Sequence, residues 1–230
     1  MNSRLSSFLS ILTALLTPIF LIGLALRLLL TPVFPQIEYR MPGFPPDEYS
    51  FTLQDRLHWS KFAVEYLVND ADISYLGDLQ FEDGSPLFNE RELSHMDDVK
   101  AVTRGALAAF YAVVLVLAAL GLWAWRGDWL PAFRQGLRRG GWLMVALAAL
   151  IGVIVAAGMF LSADLFWAFF SGFHTLFFEG DSWLFLYSDT LIRLFPLRFW
   201  QDAFLWAAVI ALGGGLALGL GLKTKGKFSA

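Results

Sequence analysis

Two histidines in this chain occupy positions suited to acid–base chemistry at a membrane surface. His95 lies in the segment Glu-Leu-Ser-His-Met-Asp-Asp, just before a long apolar run, and His174 lies in Phe-His-Thr-Leu-Phe-Phe, just after another. Histidine changes its charge between about pH 5 and 8, so it both accepts and donates protons under ordinary conditions. Two histidines on the same predicted side of a membrane favour proton transfer on a lipid-linked substrate.

The neighbours of each histidine leave a functional and a structural interpretation open. Asp98 follows His95 by one helical turn, so its carboxylate would orient the ring or raise its basicity. The alternative is a helix-start histidine whose acidic neighbours balance Lys100 and the helix dipole. His174 lies in a Phe-rich stretch at membrane depth, where a histidine is costly unless it is hydrogen-bonded or functional. The third histidine, His58, is predicted to pack or to face solvent.

The composition excludes several classes of protein and of site. Hydrophobic residues make up 57% of the chain and charged residues 16%, which is too apolar for an ordinary soluble domain. Cysteine is absent, so disulfides, thiolate nucleophiles and cysteine metal sites are excluded. A net charge of -3 without a basic stripe does not indicate nucleic-acid binding. The acidic stretch 70–83 lacks the glycine and closing glutamate of a calcium loop, and no histidine pair has zinc-site spacing; we predict no metal and no cofactor.

Four apolar stretches are long enough to cross a bilayer, which needs about 20 helical residues. They are 8–30, 106–125, 142–161 and 203–222. The first is interpreted as a retained helix rather than a signal peptide, because it is long and no small-residue cleavage site follows it. The glycines at 213–215 are expected to permit close helix packing in the fourth stretch.

The distribution of basic residues predicts the orientation of these spans. The connection between spans two and three, the head and the tail are basic, and by the positive-inside rule they face the cytoplasm. Their basic residues are Arg126, Arg134, Arg138 and Arg139, then Arg4, then Lys223, Lys225 and Lys227. The opposite side carries bases too, at Arg27, Lys100, Arg104, Arg193 and Arg198. The predicted organisation is therefore a first helix at 1–30, an external cap at 31–101, and spans two to four at 102–230 with an external segment at 162–201.

The cap is predicted to contain one substantial helix. Its first part carries five prolines and is expected to be extended and rich in turns. Thr52 and Asp55 form a capping box that should start a helix ending near Val68. The apolar face of this helix is predicted to consist of Leu53, Leu57, Val64 and Leu67.

Three further local patterns complete the predicted fold. An Asp-Gly pair at 83–84, between short apolar segments, predicts a short β-hairpin. Ser94 and Asp97 form a second capping box, which would place His95 in the first turn of the helix leading into span two. Aromatic residues recur at helical spacing in the external segment and predict an interfacial or re-entrant helix, or an extension of span three; they are Phe166, Phe169, Phe170, Phe173 and Phe177. The fold class is thus an all-α integral membrane protein.

At the two histidine motifs the chain resembles a family of bacterial four-span membrane proteins that includes the lipoprotein intramolecular transacylase. The first matching motif is Glu92…His95-Met-x-Asp98-Val-Lys, and the second is Phe-His174-x-x-Phe-Phe-x-x-Asp-x-Trp183. A third, weaker match begins at Thr-Leu-Ile (190–192) and continues through a proline and a phenylalanine. The resemblance extends over most of the chain and preserves the order of spans and external segments.

The resemblance implies an activity and a set of site residues. The family enzyme moves an acyl chain from the glycerol of a diacylated lipoprotein to the α-amine of its N-terminal cysteine, leaving a lyso-form lipoprotein. Its implied location is the bacterial plasma membrane, with the site outside and with membrane lipid as a partner; the oligomeric state stays open. His95 and His174 take the catalytic places. Supporting groups are Glu92, Asp98, Asp181 and Trp183, and the expected acyl-chain contacts are Phe170, Phe173, Phe177 and Phe178.

Two other functions remain open on the sequence alone. The same histidines would also serve hydrolysis or acyl transfer on an ordinary phospholipid or glycolipid. A non-enzymatic scaffold or accessory subunit is the third interpretation, and it predicts histidines that lie far apart in unrelated contacts. The distance between the two imidazoles therefore discriminates between an enzyme and a scaffold.

Overall fold

The computed structural model describes residues 2–222, apart from the side chains of Met159 and Ala163. These residues are mainly helical and include no β-strand. The helices are α1 (Ser3–Leu29), α2 (Val33–Glu38), α3 (Leu53–Val68), α4 (Ser74–Gly77), α5 (Glu90–Arg126), α6 (Leu130–Phe160), α7 (Ala163–His174), α8 (Thr190–Leu194) and α9 (Leu197–Gly221). The predicted basic tail, with Lys223, Lys225 and Lys227, lies outside the described residues.

Four of the described helices, α1, α5, α6 and α9, are long and apolar enough to cross a membrane. This confirms the four spans predicted from hydropathy, and the protein is a multi-pass membrane protein. At a rise of about 1.5 Å per residue, the 37 residues of α5 exceed the thickness of a bilayer core. The surplus is its polar first part, which carries His95.

The described chain forms two compact units, the first of which contains residues 2–26, 107–153 and 206–222. Within it, α6 and α9 approach each other closely at two glycines. A Cβ atom at Gly141 would lie 2.7 Å from the carbonyl oxygen of Gly215, which only a residue without a side chain tolerates. Gly214 likewise packs on Leu21, whereas Gly213 faces open space. Close packing is thus confirmed for two of the three glycines at 213–215.

The second unit contains residues 27–106 and 154–205, so the predicted cap and the predicted external segment 162–201 fall in one unit. Its apolar core combines residues from α3, α4, α5 and α8 with the turn before α5. The core residues are Ala63, Tyr66, Leu76, Leu87, Phe88, Met96, Leu191 and Leu194. Met96 directly follows His95, so packing of this core fixes the rotation of α5 at the histidine.

The capping box of α3 and its end at Val68 are as predicted, with Thr52 and Asp55 each accepting from the other's backbone N–H. The predicted apolar face is wrong in part, because Leu53 is 41% exposed. Arg56 is buried instead, and its guanidinium donates to the backbone carbonyls of Pro45 and Arg193. A buried arginine needs such partners, and satisfying them turns this side of α3 inward.

Two further expectations for the cap are modified by the structure. The proline-rich segment is not extended throughout, because residues 33–38 form α2, with Pro35 in the first turn, where its missing N–H is not required. In place of paired strands, Gln80 and Pro86 form a single antiparallel bridge around a turn. Proline has no N–H with which to continue a ladder. Gly84 closes this turn with a φ of 81°, a conformation that favours glycine.

Candidate active site

The hydrogen bond of His174 defines which of its nitrogens is available. His174 is the last residue of α7, it is buried, and its Nδ1 lies 2.9 Å from the carbonyl oxygen of Phe170, one turn earlier. A carbonyl oxygen only accepts, so Nδ1 carries the proton and Nε2 of the neutral ring has the free lone pair. Burial lowers the pKa of His174 below its usual 6.5, and the hydrogen bond to Phe170 opposes that shift. The ring is therefore a neutral base at pH 7.

His95 is buried without any hydrogen-bonding partner among the described residues. It is 8% exposed, and its Nδ1 is shielded and unpaired. The ring packs against Phe178, with 4.9 Å between centroids, and against Phe185, with 5.3 Å. An unsatisfied buried polar atom costs about 1–3 kcal/mol, so this nitrogen is a candidate contact for a water molecule or a substrate group.

The two imidazoles, 79 residues apart in the chain, lie side by side in the second unit. Their centroids are 6.3 Å apart and their planes differ by 22°. At this centroid separation the ring nitrogens are too far apart for a direct hydrogen bond, in which donor and acceptor atoms lie about 2.9 Å apart. The spacing suits one water molecule or one substrate group held between the rings.

Trp183 forms a third wall of the same site. Its indole ring lies 4.7 Å from the His174 ring, with 32° between the planes. Trp183 is 8% exposed, and its indole N–H has no hydrogen-bonding partner within residues 2–222. Tryptophan N–H groups usually find a partner when buried, and an unmet one carries the same cost of about 1–3 kcal/mol.

A polar network around Glu92 joins the start of α5, the helix that carries His95, to α8. Asn89 and Glu92 form a capping box at the start of α5, because each side chain accepts from the other's backbone N–H, at 3.0 and 2.8 Å. The second oxygen of Glu92 accepts from the backbone N–H of Leu191 at 2.7 Å. Glu92 thus caps α5 and binds the first turn of α8 with one buried carboxylate.

The predicted capping box at Ser94 and Asp97 is not the start of the helix. The structure begins α5 one turn earlier, at Glu90, so His95 lies in the second turn. The signal was present as Asn89-Glu-Arg-Glu92, which follows the capping-box pattern with Asn in place of Ser or Thr. Asp97 instead accepts a hydrogen bond from the hydroxyl of Tyr66 at 3.0 Å.

The other predicted supporting acids lie at the periphery. Asp98 is exposed and makes no hydrogen bond to His95. It lines a cleft of about 420 Å³ together with Phe177, Phe178 and Glu179. Asp181 is exposed. Among residues 2–222, no three or more His, Cys, Asp or Glu side chains form a group that would hold a metal ion.

The four predicted acyl-chain contacts divide into two pairs. Phe170 is buried with its ring 4.0 Å from the His174 ring, and Phe178 is half-buried beside both histidines. Phe173 and Phe177 are 38% and 48% exposed. Phe185, which sequence analysis did not nominate, completes the aromatic surroundings of His95. No local pattern marks it, because it reaches His95 only through the tertiary fold.

Comparisons with known proteins agree with this architecture. The family profile described as lipoprotein intramolecular transacylase Lit matches residues 11–200. A protein of Aquifex aeolicus (strain VF5), described only as uncharacterized, is 28% identical over 217 residues, which is 94% of each chain. The in meso structure of the membrane integral lipoprotein intramolecular transacylase Lit from Bacillus cereus superposes with a TM-score of 0.76 at 16% identity, covering 94% of each chain.

The structural likeness shows a shared fold, and the family profile carries the assignment. The matched range includes both histidine motifs, the buried Glu92 and Trp183. Because this range spans most of the chain, the protein belongs to the lipoprotein intramolecular transacylase family and is a multi-pass membrane enzyme that transfers an acyl chain within a lipoprotein.

Proposed function

We propose that His174 and His95 carry out this transfer, with His174 as the general base. The supporting observation is the close pairing of the two rings in one aromatic enclosure, with the lone pair of His174 on Nε2. Two histidines in unrelated structural contacts, as a scaffold would have, do not account for that arrangement. The site needs no serine or cysteine nucleophile, because the substrate's own amine attacks.

The proposed reaction proceeds through a tetrahedral intermediate. The cysteine α-amine attacks the ester carbonyl, so an N–C bond forms and the carbonyl π electrons move to oxygen. Nε2 of His174 takes the amine proton. The C–O bond to glycerol then breaks, and the glycerol oxygen receives the proton from the imidazolium. The product is an N-acylated, lyso-form lipoprotein, and the enzyme returns to its starting protonation state.

The unpaired His95 is proposed to contact the reacting groups from the other side. As a neutral ring with no protein partner, it has one donor and one acceptor nitrogen available. Amine and ester belong to one molecule, so holding them between the rings supplies much of the rate by proximity alone. Acyl chains are proposed to pass along the cleft lined by Phe177 and Phe178.

The proposal includes the side of the membrane on which the site operates. The last residue of α5, the first part of α6 and the start of α1 carry the basic residues that favour the cytoplasm, which are Arg126, then Arg134, Arg138 and Arg139, then Arg4. With α7 lying at the interface through its exposed aromatic face, the histidines belong to the outer leaflet of the bacterial plasma membrane. Diacylated lipoproteins are anchored in a leaflet, so their headgroups would approach α7 laterally.

The direct test uses purified protein in lipid nanodiscs with a diacylated lipoprotein. We expect mass spectrometry to show that the acyl chain has moved to the N-terminal amine with no change in total mass. A parallel reaction with labelled phospholipid should release no fatty acid. Fatty acid release without lipoprotein conversion would replace the transacylase proposal by lipid hydrolysis.

The pH dependence of kcat tests the assignment of the base. The substrate amine, with an ordinary pKa of about 8, must be neutral for the reaction, and so must His174. Protonation of either group lowers kcat, so each group adds one acid limb to the pH profile. Because burial lowers the pKa of His174, its limb should lie below pH 6.5, where the rate should fall about a hundredfold per pH unit. His174→Gln should retain the amine limb and lose the lower one. A lower limb that persists in this variant would assign the base elsewhere.

A further inference from the structure

The side chain of Trp183 has a single polar atom, the indole nitrogen. The indole N–H donates a hydrogen bond, accepts none and does not titrate. In this structure it is shielded from solvent and unpaired, next to the ring of the proposed base. A buried donor without a partner is rare in native proteins, and its position beside His174 makes it available to an acceptor atom of the substrate.

The neighbours of Trp183 show why no protein group fills that role. Its ring is packed by Trp167 at 6.0 Å, by Phe170 at 6.3 Å and by His174 at 4.7 Å. The rings of Phe170 and Trp167 have no strong acceptor atom, and the carbonyl of Phe170 accepts from His174. The lone pair on Nε2 of His174 does not accept from the indole either, because the indole N–H makes no hydrogen bond to any described residue. The enclosure therefore holds the indole rigidly and leaves the N–H uncommitted.

Resting on the proposed function, we infer that the N–H of Trp183 donates to the oxyanion that forms from the ester carbonyl oxygen. The oxyanion appears when the amine attacks, and it needs a donor within about 2.7–3.1 Å. A fixed donor in a water-poor enclosure requires no reorganisation when the charge develops. Trp183 would thus be a third catalytic residue, which touches the reacting oxygen while His174 handles the proton.

The test replaces Trp183 by phenylalanine, which removes the N–H and keeps an aromatic ring. We expect kcat for lyso-form production to fall about 10²-fold or more, as for loss of one oxyanion donor, with KM changed less than about threefold. The matched control is Trp125→Phe, which removes the same group from an indole that is 71% exposed near the C-terminal end of α5; its kcat should stay near wild type.

A second variant distinguishes loss of the N–H from loss of packing around Trp183. Site-specific replacement of Trp183 by 3-benzothienylalanine keeps the bicyclic shape and exchanges the N–H for sulfur, so the thermal midpoint should stay at the wild-type value while kcat still falls. A phosphonate analogue of the tetrahedral intermediate should likewise lose about 10²-fold in affinity, whereas the diacylated substrate should not.

The possible outcomes separate this inference from the proposed function. Wild-type kcat in the benzothienyl variant would overturn the role of Trp183, and it would leave the histidine mechanism standing if His174→Gln is still strongly impaired. Absence of lipoprotein conversion by the wild-type enzyme would instead overturn the proposed function itself. A fall in kcat equal in the Trp125 and Trp183 variants would also contradict the inference, because it would reflect a general effect of replacing an indole.

Discussion

Replacing His174 by glutamine is expected to lower kcat for lyso-form production about 10³-fold, the typical contribution of a positioned general base. Glutamine approximates the size and polarity of the ring but does not accept a proton in this pH range. The measurement is the rate of appearance of N-acylated lipoprotein by mass spectrometry, with purified enzyme in nanodiscs. Folding is checked by the thermal midpoint of the same preparation.

The matched control is His58→Gln in α3, because His58 is exposed and its ring contacts those of neighbouring Trp59 and Phe62. It should convert lipoprotein at the wild-type rate. His95→Gln should also be strongly impaired. Combining His95→Gln with His174→Gln should cost little more than the worse single change, because residues that act as a unit are far from additive. Additive losses, or wild-type activity in either single variant, would refute the pairing.

Replacing Glu92 by alanine is expected to destabilise the protein by about 3 kcal/mol. The change removes the capping box of α5 and leaves the buried N–H of Leu191 without an acceptor. Because Glu92 connects α5 to α8, conversion of lipoprotein should also fall. The free energy of unfolding is measured by titration with denaturing detergent in mixed micelles.

A graded comparison isolates the role of this carboxylate. Glu92→Gln keeps an acceptor oxygen and most of the shape, so its loss of stability should lie between those of wild type and Glu92→Ala. Glu90→Ala is the control, because Glu90 lies in the same first turn of α5 but is exposed; its change should stay within about 0.5 kcal/mol. Equal stability of the Glu90 and Glu92 alanine variants would contradict a structural role for the buried carboxylate.

Local patterns predicted most elements of this fold and some of their boundaries. The four spans followed from hydropathy, and the limits of α3 followed from one capping box and the end of a helical pattern. The start of α5 was misplaced by one turn because two capping-box patterns compete there, at Asn89 and at Ser94. The first prevails because the carboxylate of Glu92 also binds the backbone of Leu191, a contact that has no trace in the local sequence.

The site residues show the same division. His95 and His174 stood out as rare titratable groups beside apolar runs, and Trp183 came with the family motif. Neither Phe185 beside His95 nor the unpaired indole N–H of Trp183 was visible in the sequence. The burial of Arg56 on α3 was not visible either, because its partners are backbone carbonyls of distant segments. The predicted apolar face of α3 was therefore wrong in part.

The sequence by itself determined that this is a helical membrane protein with two histidines near membrane edges, because hydropathy, caps and residue chemistry act over one or a few helical turns. Only the tertiary structure decided which groups meet. The stacking of the two imidazoles, the tautomer of His174 and the isolation of the Trp183 N–H all depend on side chains that fold together from α5, α7 and the segment before α8. Packing of distant segments sets those contacts, and a linear pattern does not encode their geometry.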